Sequence, residues 1–140
     1  MTLDGGDRKF GHGDEMTVTN AEGSTINEGD LVYVSGYDSG GDRPEVSLAN
    51  GTNSTGYDAV VKTAQDSDGV EDGEYAAAVF RGAPYVRVDS ATAGNGVSAS
   101  TSNAGRAEDS GSSAGDGEPV FLSGVETLND GNDYAVVLLR

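Results

Sequence analysis

The sequence predicts an all-β fold: a small antiparallel β-barrel or sandwich with long Gly/Ser/Asp-rich loops. Three observations predict it. Apolar residues come in short runs of β-branched and aromatic type, as in Leu31-Val32-Tyr33-Val34 and Tyr134-Ala135-Val136-Val137. Turn-forming residues separate these runs, and 22 of the 140 residues are Gly. No segment carries convincing helical periodicity; Ala76-Ala77-Ala78 raises helix propensity only briefly. The length suits one domain, read as a flexible N-terminal arm over residues 1–16 and a single β-rich domain over residues 17–140.

In chain order, the arm is polar and Gly-rich, and it holds the adjacent bases Arg8 and Lys9 beside Phe10. His12, the sole histidine, reads as solvated rather than as a ligand. Residues 16–20 alternate as a first strand, and Ala21-Glu22-Gly23-Ser24 turns the chain. Glu28-Gly29-Asp30 is a tight turn leading into a strand at 31–34. Residues 37–45 read as a hydrophilic loop, and 46–49 as a short strand ending at the turn pair Asn50-Gly51. Two glycosylation sequons, at Asn50 and Asn53, mark an exposed loop. Residues 57–62 return as a strand.

The centre of the domain is read at residues 75–80 and 85–88, a bent pair of strands around Arg81-Gly82-Ala83-Pro84. The second strand alternates, with Tyr85, Arg87 and Asp89 on one side and Val86 and Val88 on the other. Residues 97–100 read as an edge strand and 108–117 as a Ser/Gly/acid loop. The stretch Asp116-Gly117-Glu118-Pro119-Val120-Phe121-Leu122-Ser123-Gly124 echoes Glu28-Gly29-Asp30-Leu31-Val32-Tyr33-Val34-Ser35-Gly36, which suggests equivalent places in a barrel or sandwich. After a turn at Asp130-Gly131-Asn132-Asp133, residues 134–139 are apolar on both faces, the pattern of a central or interface strand.

Charge narrows the function. There are 24 acidic against 8 basic residues, a net charge of -16. No basic stripe is present to meet a phosphate backbone, so no nucleic-acid partner is expected. An acid-rich, Lys-poor surface repels itself in dilute buffer and is relieved in molar salt, so the chain resembles proteins of extreme halophiles. Without cysteine there is no disulfide frame or thiolate metal site. The amino end lacks the basic start and apolar run of a signal peptide, and no apolar stretch approaches the ~20 residues of a membrane helix, so synthesis in the cytoplasm and no membrane partner are expected.

Two motifs mimic chemistry. Asp66-Ser67-Asp68-Gly69 resembles a calcium loop, but Glu71 and Ala77 stand where an EF-hand requires Gly and Glu. Gly111-Ser112-Ser113-Ala114-Gly115 fits the nucleophile-elbow pattern without the apolar strand and helix that pattern requires. No catalytic residue, metal or cofactor is expected.

The order of motifs resembles the small head-decoration, or cement, proteins of tailed viruses. The residues that carry the resemblance are Ile26-Asn27-Glu28-Gly29-Asp30-Leu31-Val32-Tyr33-Val34, Val79-Phe80-Arg81-Gly82, Gly115-Asp116-Gly117-Glu118-Pro119-Val120 and the terminal Leu138-Leu139-Arg140. The acidity and the long Gly/Ser/Asp loops depart from that family and fit a haloarchaeal virus. The resemblance implies a β-rich homotrimer on the capsid exterior, bound to the major capsid protein and without an active site. Arg8, Lys9 and Phe10 are then expected to touch neighbours, and Phe80, Arg81, Tyr85 and Arg87 to contribute to a subunit or shell interface, since arginine and aromatics are favoured there. The alternative is a virion or cell-surface β-domain that binds a host glycan or receptor through loops 37–43 and 102–117.

Overall fold

In the computed structural model, residues 14–53, 56–62 and 69–140 are described. The chain is all-β, with a closed five-stranded barrel followed by a six-stranded sheet. The barrel is built from β1 (Asp14–Asn20), β2 (Leu31–Asp38), β3 (Arg43–Leu48), β4 (Ala59–Lys62) and β5 (Tyr75–Arg81), in the order β1-β3-β2-β4-β5. The second sheet contains β6 (Tyr85–Arg87), β7 (Asn95–Ala99), β8 (Ala107–Ser113), β9 (Val120–Phe121), β10 (Glu126–Thr127) and β11 (Asp133–Leu138). Its order is β10-β11-β9-β7-β8, with β6 also paired to β11. Antiparallel ladders dominate; the barrel closes through one short parallel contact, Thr19 to Glu45 and Asn20 to Val46. Residues 14–16, read from the sequence as arm, lie in β1.

Three apolar clusters account for the layering. Inside the barrel, Val18, Ile26, Val32, Val46, Ala59, Val61, Val70 and Ala78 are buried together. On the barrel's outer wall, Leu31 and Val60 point the other way and pack against Val86, Val88, Val97, Ala99, Phe121, Ala135, Val137 and Leu139 of the second sheet. Strand alternation explains the division, because neighbours such as Leu31 and Val32 face opposite sides. A third, small cluster of Tyr85, Tyr134 and Val136 lies across β6 and β11. Both faces of β11 are therefore buried and it is central, as its doubly apolar sequence predicts.

Several expectations need correction. Residues 75–80 and 85–88 do not pair with each other. β5 pairs with β1 and β4 in the barrel, whereas β6 pairs with β11. Gly82, at φ 126°, and Pro84 carry the chain from one sheet to the other. The hydrophilic loop expected at 37–45 is mostly hairpin. Tyr37 pairs with Pro44 and Asp38 with Arg43, leaving only four residues in the turn. The stretch expected as a loop at 108–117 is largely β8, whose backbone pairs with β7 although only Ala107 is buried. That pairing, together with the contact of Gly96 to Val120 in β9, places β7 inside the sheet rather than at its edge. At Asn50-Gly51 the chain enters a single 3-10 turn, Gly51–Asn53. The internal echo holds for its turns, with Gly29 at φ 86° and Gly117 at φ 79°. Its strands differ: β2 is an eight-residue barrel strand and β9 a two-residue strand of the second sheet.

Candidate interaction surface

Carboxylates are abundant in this chain, and among the described residues several of them are bound into turns. Asp38, before the β2–β3 turn, accepts from Thr19 Oγ1 at 2.9 Å and from the Gly41 amide at 3.0 Å. Those donors, the Gly41 amide first, hold its carboxyl below the usual range. Asp89, just past β6, accepts from Ser100 Oγ, from Asn103 Nδ2 at 3.0 Å and from Arg106 Nη1 at 3.2 Å. Ser100 is fully buried and its hydroxyl in turn accepts the Ser102 and Asn103 amides, so one carboxylate organises the whole β7–β8 connection. Burial pushes the Asp89 carboxyl up, but these donors outweigh it and hold it low. Asp109 on β8 accepts from Thr92, Asn95 and the Gly111 amide, and these hold it low. Its own amide donates to Ser90 Oγ at 3.0 Å. Side chains thus occupy part of the outer edge of β8, which guards that edge against pairing with another chain.

Asp30 differs. It is 3% exposed, and burial pushes its carboxyl up to about 6 against the pull of the Asn27 amide and of Arg87. The Asn27 amide donates to Oδ2 at 2.8 Å, while Arg87 Nη1 stands 3.4 Å from Oδ1. The Arg87 Nε is buried without a hydrogen-bond partner. This pair joins the turn before β2 to β6, across the junction of the two β units. Beside it, Tyr134 donates to Asp130 Oδ2 at 2.6 Å. Burial and this bond push the Tyr134 phenol far up. Burial also raises Asp130, but the Tyr134 and Asn132 donors overcome it and hold that carboxyl low.

Of the residues expected at an interface, Arg8, Lys9 and Phe10 lie outside the described residues. Phe80 is half-buried against the barrel core. Arg81 is exposed at the end of β5, across from Asp14. Tyr85 is buried, its ring edge-on to Tyr134 at 6.4 Å and 87°. Arg87 is held by Asp30. These four are therefore not gathered into one patch, and of the four only Arg81 is exposed.

Other apolar side chains do reach solvent: Tyr37 (59% exposed), Tyr75 (56%), Leu122 (48%), Val125 and Met16 (46% each) and Val34 (41%). Tyr75 carries the Arg43 guanidinium 3.7 Å from its ring centroid, and Arg43 Nε donates to the Gly41 carbonyl at 2.9 Å. The Tyr37 hydroxyl donates to Asp42, which holds a left-handed backbone at φ 56°. The β2–β3 hairpin end is thus a braced element, with its own Tyr37 ring and the neighbouring Tyr75 ring of β5 both exposed, an arrangement rich in the residue types that anchor interfaces.

Sequence reasoning placed Tyr37 in a loop, 37–43, offered for recognition under the alternative reading, but it did not pair that loop with Tyr75, which fell in an expected core strand. Their only signal was aromatic character next to acid-rich turns. Among the described residues, no group of three or more His, Asp or Glu side chains is placed to hold a metal ion. Ser113, of the elbow-like motif, is exposed at the end of β8. No family model matches the chain, and no curated protein or solved structure matches it either.

Proposed function

We propose that this protein is a structural component of a virion, decorating and stabilising the outside of an icosahedral capsid as a homotrimer bound to the major capsid protein. The observation that carries this reading is the use made of the carboxylates. Asp38, Asp89, Asp109 and Asp130 each accept several bonds from nearby amides, hydroxyls and other donors, so their hydrogen-bonding capacity goes to holding turns in place. That supports a scaffold rather than a catalyst, and the motif order supports the decoration role. The high acid content suits particle assembly in concentrated salt, where like-charged copies approach without long-range repulsion. Many weak contacts on a repeating shell then sum to firm attachment. The test is light scattering of the purified chain in molar KCl, followed by titration onto undecorated shells of its major capsid protein. Trimers that saturate the shell surface are expected. A monomer that ignores the shells overturns the reading.

One observation favours a second reading, a β-domain that binds a host glycan or receptor. The two most exposed large apolar side chains among the described residues, Tyr37 and Tyr75, stand at or beside the 37–43 segment, and exposed aromatic rings with nearby carboxylates suit the faces and hydroxyls of sugars. Binding to host-surface glycans, lost in Tyr37→Ala and Tyr75→Ala with shell binding absent, would favour it.

A further inference from the structure

We propose that the Asp30–Arg87 pair is a proton-operated latch between the barrel and the second sheet: ionised Asp30 holds the guanidinium across the junction, and protonated Asp30 releases it toward Asp130. Asp30 is almost fully enclosed, with a side chain 4% exposed, and that of Arg87 is 15% exposed. Their contact is single and long, 3.4 Å from Nη1 to Oδ1, and Arg87 Nε has no partner. The pair is therefore weakly satisfied for a buried charge, the condition in which losing the charge is least costly.

The surroundings define what the latch moves. Arg87 faces Asp30 from β6. Arg106 acts on it from the β7–β8 connection, but that guanidinium is already bonded to Asp89. Glu28 adjoins Asp30 in the same turn. Near Arg87 stand Tyr134 of β11, whose ring flanks Gly29 together with Arg87 Cγ, and Asp130 of the β10–β11 turn, which accepts from Tyr134; both feel the charge of Arg87. Once Asp30 is neutral, Asp130 is an ionised group that still attracts Arg87, and its depressed carboxyl stays charged in mild acid. Gly29 holds the parts in register: its amide donates to the Val61 carbonyl at 2.8 Å, and its carbonyl accepts the Arg87 amide at 2.8 Å. The backbone junction is thus fixed while the side-chain charge is exchanged.

The folded-state carboxyl sits near 6, above its unfolded value of 3.8. Stability from the bound proton is therefore complete below the unfolded value and is lost as pH rises through about 6. Carbon-detected carboxyl NMR of the full chain in molar KCl tests the latch directly. The Asp30 carboxyl is expected to titrate with a midpoint near 6, and the Arg87 Nε resonance to move with the same midpoint. An Asp30 midpoint below about 4.5, or an Arg87 resonance that does not follow it, overturns the proposal. Urea unfolding supplies a second arm. From pH 7 to pH 5 the folding constant of the wild type should rise about tenfold more than that of Asp30→Asn, and equal slopes overturn the latch. If Asp30→Asn does not fold, the wild-type titration decides alone.

Discussion

Replacing Gly29 with Ala should destabilise the protein far more than a typical glycine substitution. Gly29 has φ 86°, and a Cβ there would lie 2.9 Å from Tyr134 Cε2 and 3.1 Å from Arg87 Cγ, with the Arg87 backbone nitrogen at 3.4 Å. Two effects add. A Cβ in the left-handed region costs about 1–2 kcal/mol. Forcing it into a packed junction costs roughly 1–3 kcal/mol more, because Tyr134 is 2% exposed and its ring has little room to retreat. The expected loss is about 3–4 kcal/mol. Gly131 is the internal control: its φ is 82°, but a Cβ there would meet nothing within 4 Å, so Gly131→Ala should lose only about 1–2 kcal/mol. The chain has no tryptophan, so urea unfolding in constant molar KCl is best followed by far-UV circular dichroism and tyrosine fluorescence. At a slope of about 2 kcal/mol per molar urea, the midpoint of Gly29→Ala should fall by roughly 1.5–2 M, about twice the fall for Gly131→Ala. Equal midpoints for the two variants would refute the close-packed junction.

Three other outcomes follow from the same contacts. Phe121 is 1% exposed and belongs to a two-residue strand, so Phe121→Ala should cost about 3–5 kcal/mol in the same urea assay; a loss under about 1 kcal/mol would mean that β9 is not anchored by that ring. Asp89→Asn should cost about 2 kcal/mol at pH 7 by weakening the bonds to Ser100, Asn103 and Arg106. Since the Asp89 carboxyl is depressed in the fold, its contribution is present above the unfolded value near 4 and fades as pH falls through the folded one, so wild type and variant should converge once the pH lies below it. Tyr75→Ala should change stability by less than about 1 kcal/mol, since the lost stack with Arg43 is exposed; a larger loss would place Tyr75 in the core.

Much of the architecture was legible because most strands carry dense β-branched or aromatic residues. Residues 31–34, 59–62 and 134–139 announce themselves that way, and acid-Gly-acid turns bracket two of the strands. What escaped depended on partners distant in sequence. β8 reads Ala-Glu-Asp-Ser-Gly-Ser-Ser, a composition suited to a loop, and it is a strand because β7 offers its backbone. Nothing local distinguishes a hairpin at 75–88 from a crossing between sheets, since Gly82 and Pro84 serve either.

The candidate surface was harder to see for the same reason. Alternation separates buried from exposed residues only where one face of a sheet is solvated. Tyr85 and Arg87 fall on the polar-bearing side of the alternation and were expected at an interface with another chain, yet β6 is covered on that side by Tyr134, Gly29 and the Asp30 turn of the same chain. Conversely, Tyr75 opens an apolar run but lies at its exposed end.

The division of the chain at Gly82 has a bearing on its birth at the ribosome. Every strand of the barrel precedes that glycine and every strand of the second sheet follows it. A nascent chain can therefore close the first unit while the remainder is still being made. Until the second sheet is made, however, the wall formed by Leu31 and Val60 stays greasy and uncovered. The abundant surrounding acid would then act as a temporary shield, keeping half-finished molecules on a crowded polysome from sticking to one another.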